Sequence, residues 1–355
     1  MQSRFLLTGV LFYLLADGVA IADQFVIDDI KTVNSYFEAE RTIGQTNIIL
    51  GISKLANLYT SSEYQKSIRP LISERLKSIK NNLPHFFWSL ESQGTQRRYK
   101  TDEIMLEVNG ERLPFRVNRK SGSQPIGSIK YGTNLYSGLD RDNRNVTQFQ
   151  LQHSLTAYDD KRIKNSYSLA WDAPVMKMES ITGLRFGVDM SNFSDRSPKR
   201  VGLEWKTFFE PQKSLTFDFY TGTNYEAIVS LAEEQRFSQW TIGYTQPIAD
   251  TYVSLEQKWY EIRKLHLEFS QLGAKFSLPR KTDGIELTFD LSVRNYRGIQ
   301  YPHAKSRFDK KAGFVISKRL LSSSKAKLFA RVERNYSNID IFTYETFDFG
   351  IQIQN

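Results

Sequence analysis

The sequence predicts a mainly β fold, a transmembrane antiparallel up-and-down β-barrel of about 14 strands, with 12 as the alternative, preceded by a short α-helical domain. Two observations predict it. From about residue 127 onward, apolar and polar residues alternate in segments of roughly 9 to 12 residues, the length of a tilted membrane strand. The mean hydropathy is only -0.45, although the chain contains 18 Tyr and 24 Phe. The polar residues on the inner face of a barrel lower its mean hydropathy. A bundle of transmembrane helices would need a much higher mean hydropathy and is excluded.

Residues 1–22 have the pattern of a secretory signal peptide. Arg4 supplies the positive start, residues 5–15 are nearly all apolar, and Ala20-Ile21-Ala22 is a small-x-small cleavage site. The chain has no Cys, so an exported product would carry neither a disulfide nor a thiolate metal site. We therefore expect export across the inner membrane.

Residues 23–95 are predicted to form a helical periplasmic domain. Apolar residues recur there every three or four positions, as from Ile48 to Leu58 and from Leu71 to Ile79. The second helix is expected to start at the cap residues Thr60-Ser61-Ser62-Glu63, and Pro70 is expected to bend or divide it. The pattern fits one helical hairpin of the tetratricopeptide kind or an ordinary small helical domain, and both interpretations stay open.

Residues 96–125 are predicted to form a hairpin and a linker. Two alternating apolar runs flank Asn109-Gly110, a hairpin turn signal, and residues 121–125 have a linker composition. The hairpin is either an extra periplasmic element or the first pair of barrel strands. The barrel itself is predicted over residues 126–355.

The barrel strands are predicted from alternation with a period of two residues. In the plainest case Ile285, Leu287, Phe289, Leu291 and Val293 alternate with polar residues. Aromatic residues are placed near strand ends as an interfacial girdle, namely Trp171, Trp205, Trp240, Tyr244 and Trp259. A change of phase at residues 271–274 indicates a turn or a bulge.

The last strand resembles the C-terminal signal by which barrels are handed to the barrel-assembly machinery. Phe347, Phe349, Ile351 and Ile353 alternate with polar residues and Gly350. Such strands usually end on an aromatic residue, whereas this sequence ends on Asn355.

A set of charged residues is predicted to line the lumen, because each occupies the polar phase of a barrel strand. The candidates are Arg185, Arg200, Glu204, Lys206, Asp218, Glu286, Asp290, Arg294, Arg331 and Glu333. Their mixed signs favour a ladder of ion pairs across a narrow lumen over a selective pore. The other interpretation is a polar passage along which a substrate slides.

The sequence offers no convergent catalytic or metal site. It has four His residues, at positions 85, 153, 266 and 303, and none has metal-ligand spacing. His153 shares the apolar phase, while His266 is expected to face the lumen. We predict no enzymatic activity, no cofactor and no metal. The sequence has a net charge of +9 but no nucleic-acid-binding motif. We therefore expect its basic residues to contact anionic outer-membrane lipid and lipopolysaccharide, or to line a basic lumen.

The C-terminal strands resemble the barrel of surface lipoprotein assembly modifiers, the Slam proteins. The resemblance lies in residues 292–297, residues 314–318, and residues 334–338 with Ile339 and Tyr344. It implies a periplasmic tetratricopeptide domain before a fourteen-stranded barrel that helps lipoproteins or related cargo to reach the cell surface. It implies no catalytic residues.

These observations predict an outer-membrane barrel for export or surface display of a macromolecular cargo. The cargo would be a lipoprotein, another secreted protein or a polysaccharide, captured by the helical domain in the periplasm. The alternative is a passive porin for small solutes, and an outer-membrane enzyme is the third and least favoured class.

Overall fold

The computed structural model describes residues 22–45, 47–60, 69–83, 85–108, 111–116, 125–138, 146–158, 161–192, 197–210, 212–224, 235–249, 251–262, 267–279, 284–300, 305–320 and 325–354. The signal peptide up to residue 21, the Asn109-Gly110 turn, most of the linker, His266 and His303 lie outside these ranges. The chain divides into two compact units, one containing the helices and the other the strands.

The helical unit contains α1 (Ala22–Gln45), α2 (Ile48–Thr60) and α3 (Arg69–Asn82). Asn47 caps α2, because its Oδ1 accepts hydrogen bonds from the backbone N–H of Ile49 (2.9 Å) and Leu50 (3.1 Å). Apolar side chains at three- and four-residue spacing form the core, namely Ile49, Leu50, Ile52, Leu55, Ile72 and Ile79. No helix of the described residues is long and apolar enough to cross a membrane.

Two further features hold the helices together. Gly51 lies so close to α1 that an added Cβ would be 2.4 Å from Ile43 Cγ1, so the two helices approach closely at that point. Arg75 of α3 donates two hydrogen bonds to Glu40 of α1, at 2.7 and 2.8 Å. Pro70 lies in the first turn of α3, where its missing N–H costs nothing. The predicted helix begins near Thr60, and residues 61–68 lie outside the described residues, so a bend or break at Pro70 stays a prediction.

Fourteen strands of the described residues close into one antiparallel barrel, as predicted. They are β1 (Phe86–Tyr99), β4 (Pro125–Ser137), β5 (Thr147–Tyr158), β6 (Ile163–Val175), β7 (Ser180–Ser191), β8 (Lys199–Glu210), β9 (Lys213–Asn224), β10 (Gln235–Ile248), β11 (Thr251–Ile262), β12 (Phe269–Pro279), β13 (Ile285–Gln300), β14 (Lys305–Arg319), β15 (Ala326–Ser337) and β16 (Tyr344–Gln354). Strands β4 to β16 pair in sequence order, and β1 closes the ring between β16 and β4. A separate two-stranded sheet, β2 (Glu103–Val108) with β3 (Glu111–Arg116), is inserted between β1 and β4.

The barrel begins earlier than the predicted start at residue 126. Its first strand is β1, which lies across the predicted boundary between residues 95 and 96, and the hairpin of residues 96–125 supplies β2 and β3 rather than barrel strands. Residues 271–274 form neither a turn nor a bulge, because β12 pairs continuously through them, as in Gln271↔Arg294 and Ala274↔Leu291.

The two ends of the barrel differ in their connections. The end where β1 starts and β16 finishes, which we call the terminal end, has short turns at residues 211–212 and 249–250. The opposite, distal end has the two longest connections, residues 100–124 and 225–234, while the longest at the terminal end is residues 138–146. Short turns at one end and long loops at the other are typical of outer-membrane barrels, whose short turns are periplasmic.

Side chains alternate between an apolar outer wall and a polar inner wall. On β13 the outward Phe289 and Leu291 are 41% and 52% exposed, whereas Asp290 and Ser292 between them point inward. On β16 the outward side chains are Phe347, Phe349, Ile351 and Ile353. Gly350 points inward against the Phe329 ring, where a Cβ would be 2.7 Å from Phe329 Cζ. The proposed role of this strand in barrel assembly stays a prediction.

Candidate functional site: the inner wall of the barrel

All ten charged residues predicted to line the lumen lie on barrel strands, at positions that alternate with outward apolar side chains. Arg185, for example, lies between the outward Leu184 and Phe186. The structure therefore brings the set to the inner wall, although not into one cluster. A role in passage of a substrate stays a prediction.

Arg185 is the centre of a charge sector, which we define as Asp172, Arg185, Glu204, Asp218 and Tyr220 on β6 to β9. Arg185 Nη2 lies 2.7 Å from Asp172 Oδ1 and 2.7 Å from Glu204 Oε2. The Tyr220 hydroxyl donates a hydrogen bond to Glu204. Asp218 faces Glu204 across the β8–β9 pair, and its Oδ1 is buried without a hydrogen-bond partner among the described residues. One arginine thus holds together a group of carboxylates.

Inward glycines make room for this sector. A Cβ on Gly183 would lie 2.7 Å from Arg185 Nη1, and a Cβ on Gly187 would lie 2.7 Å from Arg200 Nε. On β8, a Cβ on Gly202 would lie 2.3 Å from Tyr220 Cδ1. The long polar side chains therefore lie flat across glycine backbone instead of projecting into the lumen.

A second set of ion pairs joins β13 to β16. Glu286 Oε2 lies 3.6 Å from Lys327 Nζ, and Arg331 Nη1 lies 3.8 Å from Asp348 Oδ2. Glu333 is more tightly held, because it pairs with Lys311 at 2.7 Å and accepts a hydrogen bond from Tyr344. These contacts join nearby strands along the wall, and the ladder of ion pairs across a narrow lumen stays a prediction. Of the remaining candidates, Lys206 lies over the Phe208 ring, 5.1 Å from its centre.

Near the distal end, the inner wall carries a row of rings and guanidinium groups that sequence reasoning missed. We call it the aromatic–arginine belt and define it as Phe237, Tyr260, Phe269, Arg294, Tyr296 and Arg307. The Phe237, Tyr260 and Phe269 rings are stacked, with centre-to-centre distances of 5.4 and 5.1 Å. The next contact is Phe269 with Tyr296, at 5.6 Å. Each ring lies on a different strand, from β10 to β13.

The two arginines of the belt lie over these rings. The Arg294 guanidinium carbon is 4.2 Å from the centre of the Phe269 ring. Its nitrogens donate to Gln271 Oε1 at 2.9 and 2.7 Å and to the Tyr296 hydroxyl at 3.1 Å. Among the described residues, these partners of Arg294 are all neutral, and no carboxylate lies within ion-pair distance. Its positive charge is therefore held by cation–π contact and neutral acceptors.

Arg307 is held differently, although it contacts the same belt. Its guanidinium carbon lies 4.5 Å from the centre of the Tyr296 ring and 3.7 Å from that of Phe342. It also donates hydrogen bonds to Asp309, from Nη2 at 2.5 Å and from Nε at 2.9 and 3.0 Å. Asp309 is paired with Arg294 in the β13–β14 register, but its carboxylate forms the ion pair with Arg307 and not with Arg294. The belt keeps a net positive charge at the distal end.

The described residues offer little for metal or acid–base chemistry. They contain no group of three or more His, Cys, Asp or Glu side chains that could hold a metal ion. His153 lies outward between the Tyr131 and Tyr167 rings, and its Nε2 is 3.0 Å from Asn165 Oδ1. His85 Nδ1 is 3.3 Å from the backbone oxygen of Asn134. Absence of enzymatic activity stays a prediction.

The closed antiparallel ring, its apolar outer wall and its polar inner wall define the class of protein as a 14-stranded, outer-membrane-type β-barrel. Neither a family model nor a curated protein matches the chain.

Several solved structures are similar in architecture. The outer-membrane protein OmpT of Vibrio cholerae, in vitro folded and in its trimer form, is 7% identical with a TM-score of 0.45, over 76% of this chain and 98% of that one. The anion-selective porin from Comamonas acidovorans is 9% identical with a TM-score of 0.43, over 76% and 98%. CdiB from Acinetobacter baumannii is 10% identical with a TM-score of 0.43, over 77% of this chain and 60% of that one.

Proposed function

We propose that this chain is an outer-membrane barrel for export or surface display of a macromolecular cargo, a lipoprotein or another secreted protein, or else a polysaccharide. The observation that carries the proposal is an inner wall whose charged side chains lie flat in ion pairs and belts rather than converging on one pocket. Such a wall is suited to a polymer that slides past many weak contacts. The resemblance of the C-terminal strands to surface lipoprotein assembly modifiers supports the same function.

The proposed orientation follows from the connections. Short turns at the terminal end indicate the periplasm, and long connections at the distal end indicate the cell surface. Helix α3 ends at Asn82 and β1 begins at Phe86, so the helical unit is joined to the chain at the terminal end. The helical unit would therefore lie in the periplasm, where it could engage cargo before the barrel does.

A passive porin for small solutes is the second candidate, and one observation favours it. Arg294 has only neutral partners among the described residues, and it lies on the inner wall close to the distal end. A fixed positive charge in this place would attract small anions. Steady conductance with preference for anions is the expected behaviour of such a channel.

Gene deletion separates the two candidates. Cells lacking the gene would be complemented with the full chain or with a chain lacking residues 23–82, an end point chosen because β1 starts at Phe86. Heat-modifiable migration on gels would verify equal amounts of folded barrel. Export predicts that particular proteins or glycans vanish from the shaved surface of intact cells in the deletion strain and stay absent with the shortened chain. If the surface is unchanged while solute uptake falls, the porin is correct and export is wrong.

A further inference from the structure

The outer wall carries a group of exposed cations where the apolar band stops at the distal end. On β15 the outward residues run through Leu328 and Val332 to Arg334, and on β16 they run through Phe347 to Glu345. Arg98 of β1 faces Glu345, which in turn faces Arg334. The three side chains form one row across β1, β16 and β15 at the edge of the band.

The two arginines of this group are not held in ion pairs within the described part of the chain, although Glu345 lies between them in the strand register. Among the described residues, neither Arg98 nor Arg334 has a carboxylate within ion-pair distance, whereas Lys100 pairs with Asp340 at 2.7 Å. The Arg334 guanidinium carbon lies 4.6 Å from the centre of the Tyr336 ring, and that ring is 46% exposed. Arginine held over an interfacial tyrosine keeps its donors free for an external acceptor.

Two adjoining depressions surround Arg334. The upper one, on the distal side of Arg334, has a volume of about 410 Å³, and its lining includes Arg98, Lys100, Arg334, Tyr336, Asp340 and Glu345. The lower one, of about 500 Å³, is apolar and is lined by Phe289, Leu291, Ala312, Phe314 and Val332. Arg334 and Glu345 line both. Ala312 lies between the larger Leu291 and Arg334 across its strand pairs, so its small side chain leaves the lower groove open.

We propose that this surface binds one molecule of a phosphorylated lipid. A phosphate group would accept hydrogen bonds from Arg98 and Arg334 on the upper side, and an acyl chain would occupy the apolar groove below. Guanidinium groups bind phosphate bidentately, and an aromatic ring at the interface suits a head group with sugar rings. Glu345 lies between the two arginines and repels the phosphate. The phosphate would therefore lie on the distal side of Glu345, toward Tyr336 and Lys100.

The source of the lipid rests on the proposed orientation. With the distal end at the cell surface, the lipid in contact with Arg98 and Arg334 belongs to the outer leaflet and is a phosphorylated glycolipid of the lipopolysaccharide type. With the opposite orientation, the same phosphate chemistry would select a phospholipid of the inner leaflet.

The test uses the purified full-length chain in detergent and titrates it with lipid under native mass spectrometry. The probes are lipid A with both phosphates, the same lipid after removal of both phosphates, and phosphatidylglycerol. We expect one tightly bound lipid A, and we expect the R98Q/R334Q double variant to weaken its binding at least about tenfold. Lys318→Gln is the matched control, since it removes an outward charge from the other end of β14.

A second variant addresses the groove. Ala312→Leu fills the apolar depression without changing charge, so we expect it to weaken lipid A binding while heat-modifiable migration shows a folded barrel. Equal binding of the dephosphorylated lipid, or equal loss with Lys318→Gln, would overturn the site. Preferential binding of phosphatidylglycerol would overturn the glycolipid assignment. Neither result bears on the surface-shaving experiment, so the export proposal fails or stands separately.

Discussion

The charge sector and the aromatic–arginine belt both place arginine on the inner wall, but they compensate its charge in opposite ways. Arg185 lies 2.7 Å from each of two carboxylates, and a third acidic residue, Asp218, is nearby. Arg294 has an amide oxygen, a hydroxyl and the face of Phe269. The first region has excess negative charge, and the second has excess positive charge.

The difference has consequences for stability and for passage. In the charge sector, the arginine offsets the repulsion between the carboxylates. Without it, these partly buried carboxylates would repel one another with little screening by solvent. In the belt, arginine caps a stack of rings that would still pack without it, so its loss removes a few favourable contacts only. We therefore expect Arg185 to matter mainly for the stability of the charge sector. We expect Arg294 to matter mainly for the electrostatic potential that a solute meets in the lumen.

The largest effect is expected for Arg185→Met. Asp172 and Glu204 would lose their common partner while only 19% and 30% of their side chains are exposed. We expect the free energy of unfolding to fall by about 3 kcal/mol, the low end for a broken buried pair because water reaches these groups. Denaturant titration in detergent measures it.

Arg200→Met is the matched control, because Arg200 is exposed on the same wall and has no carboxylate partner among the described residues. It should change the free energy of unfolding by less than about 0.5 kcal/mol. Equal losses for the two variants would show that the charge sector has no special dependence on Arg185.

The next effect concerns the packing of the same sector. In Gly202→Ala the new methyl group would meet the Tyr220 ring at 2.3 Å, and Tyr220 is tied to Glu204. We expect a loss of about 2 kcal/mol from overpacking. Gly243→Ala, also inward but with its nearest atom at 3.8 Å, should be neutral in the same titration. A harmless Gly202→Ala would mean that Tyr220 moves freely and that the sector is loosely packed.

The sequence predicted the barrel because a membrane strand must place an apolar side chain at every second position. β13 shows the rule, since Ile285 to Val293 alternate without a break. β1 does not obey it. Phe86, Phe87 and Trp88 are consecutive, and Phe87 points inward over Gly132, where a Cβ would be 2.5 Å from its ring. The alternation signal fails for β1, although pairing with β4 and β16 makes it a barrel strand.

The belt could not be predicted for a different reason. Its rings come from separate strands, and their contacts depend on the register that pairs Tyr260 with Phe269 and Phe269 with Tyr296. The alternation of Leu265, Leu267 and Phe269 in the sequence would by itself place Phe269 on the outer wall, whereas in β12 Phe269 points inward and contacts Tyr260 and Tyr296. The ten charged candidates were easier, because their phase within each strand is enough to choose the wall.

A smaller effect on stability is expected for Arg294→Met. The variant removes the cation–π contact with Phe269 and three hydrogen bonds to Gln271 and Tyr296, but it keeps an apolar cap on the ring. We expect a loss of about 1–1.5 kcal/mol. In planar bilayers any anion preference of the barrel should decrease.

Arg331→Met controls for the removal of an inward charge. Arg331 is 48% exposed and 3.8 Å from Asp348, so its loss should alter selectivity without a measurable change in unfolding. If Arg294→Met destabilises the barrel as much as Arg185→Met does, the contrast between belt and charge sector is wrong.

The smallest effect sharpens the comparison with an arginine that pairs with one carboxylate outside the barrel instead of two within it. Arg75 and Glu40 in the helical unit form a pair with two hydrogen bonds, but their side chains are 39% and 23% exposed. The pKa of nearby Tyr36 is raised to about 12, first by burial and then by Glu40. The stability that this raised pKa contributes is fully present below pH 10 and is lost as the pH rises to about 12. Tyr36 is therefore neutral at pH 7. At pH 7 Glu40→Gln therefore removes the charge that pairs with Arg75, while the new amide oxygen can still accept the hydrogen bond from neutral Tyr36.

We expect that change to cost about 0.5 kcal/mol, since solvent screens the pair. Hydrogen exchange of the α1 and α3 amides in the full chain measures it, as an increase of about twofold. Glu38→Gln is the control, because Glu38 is 59% exposed where it pairs with Lys54 at 2.7 Å. A loss from Glu40→Gln as large as that from Arg185→Met would show that the geometry of the pair, rather than the carboxylates left behind in the barrel wall, determines its contribution.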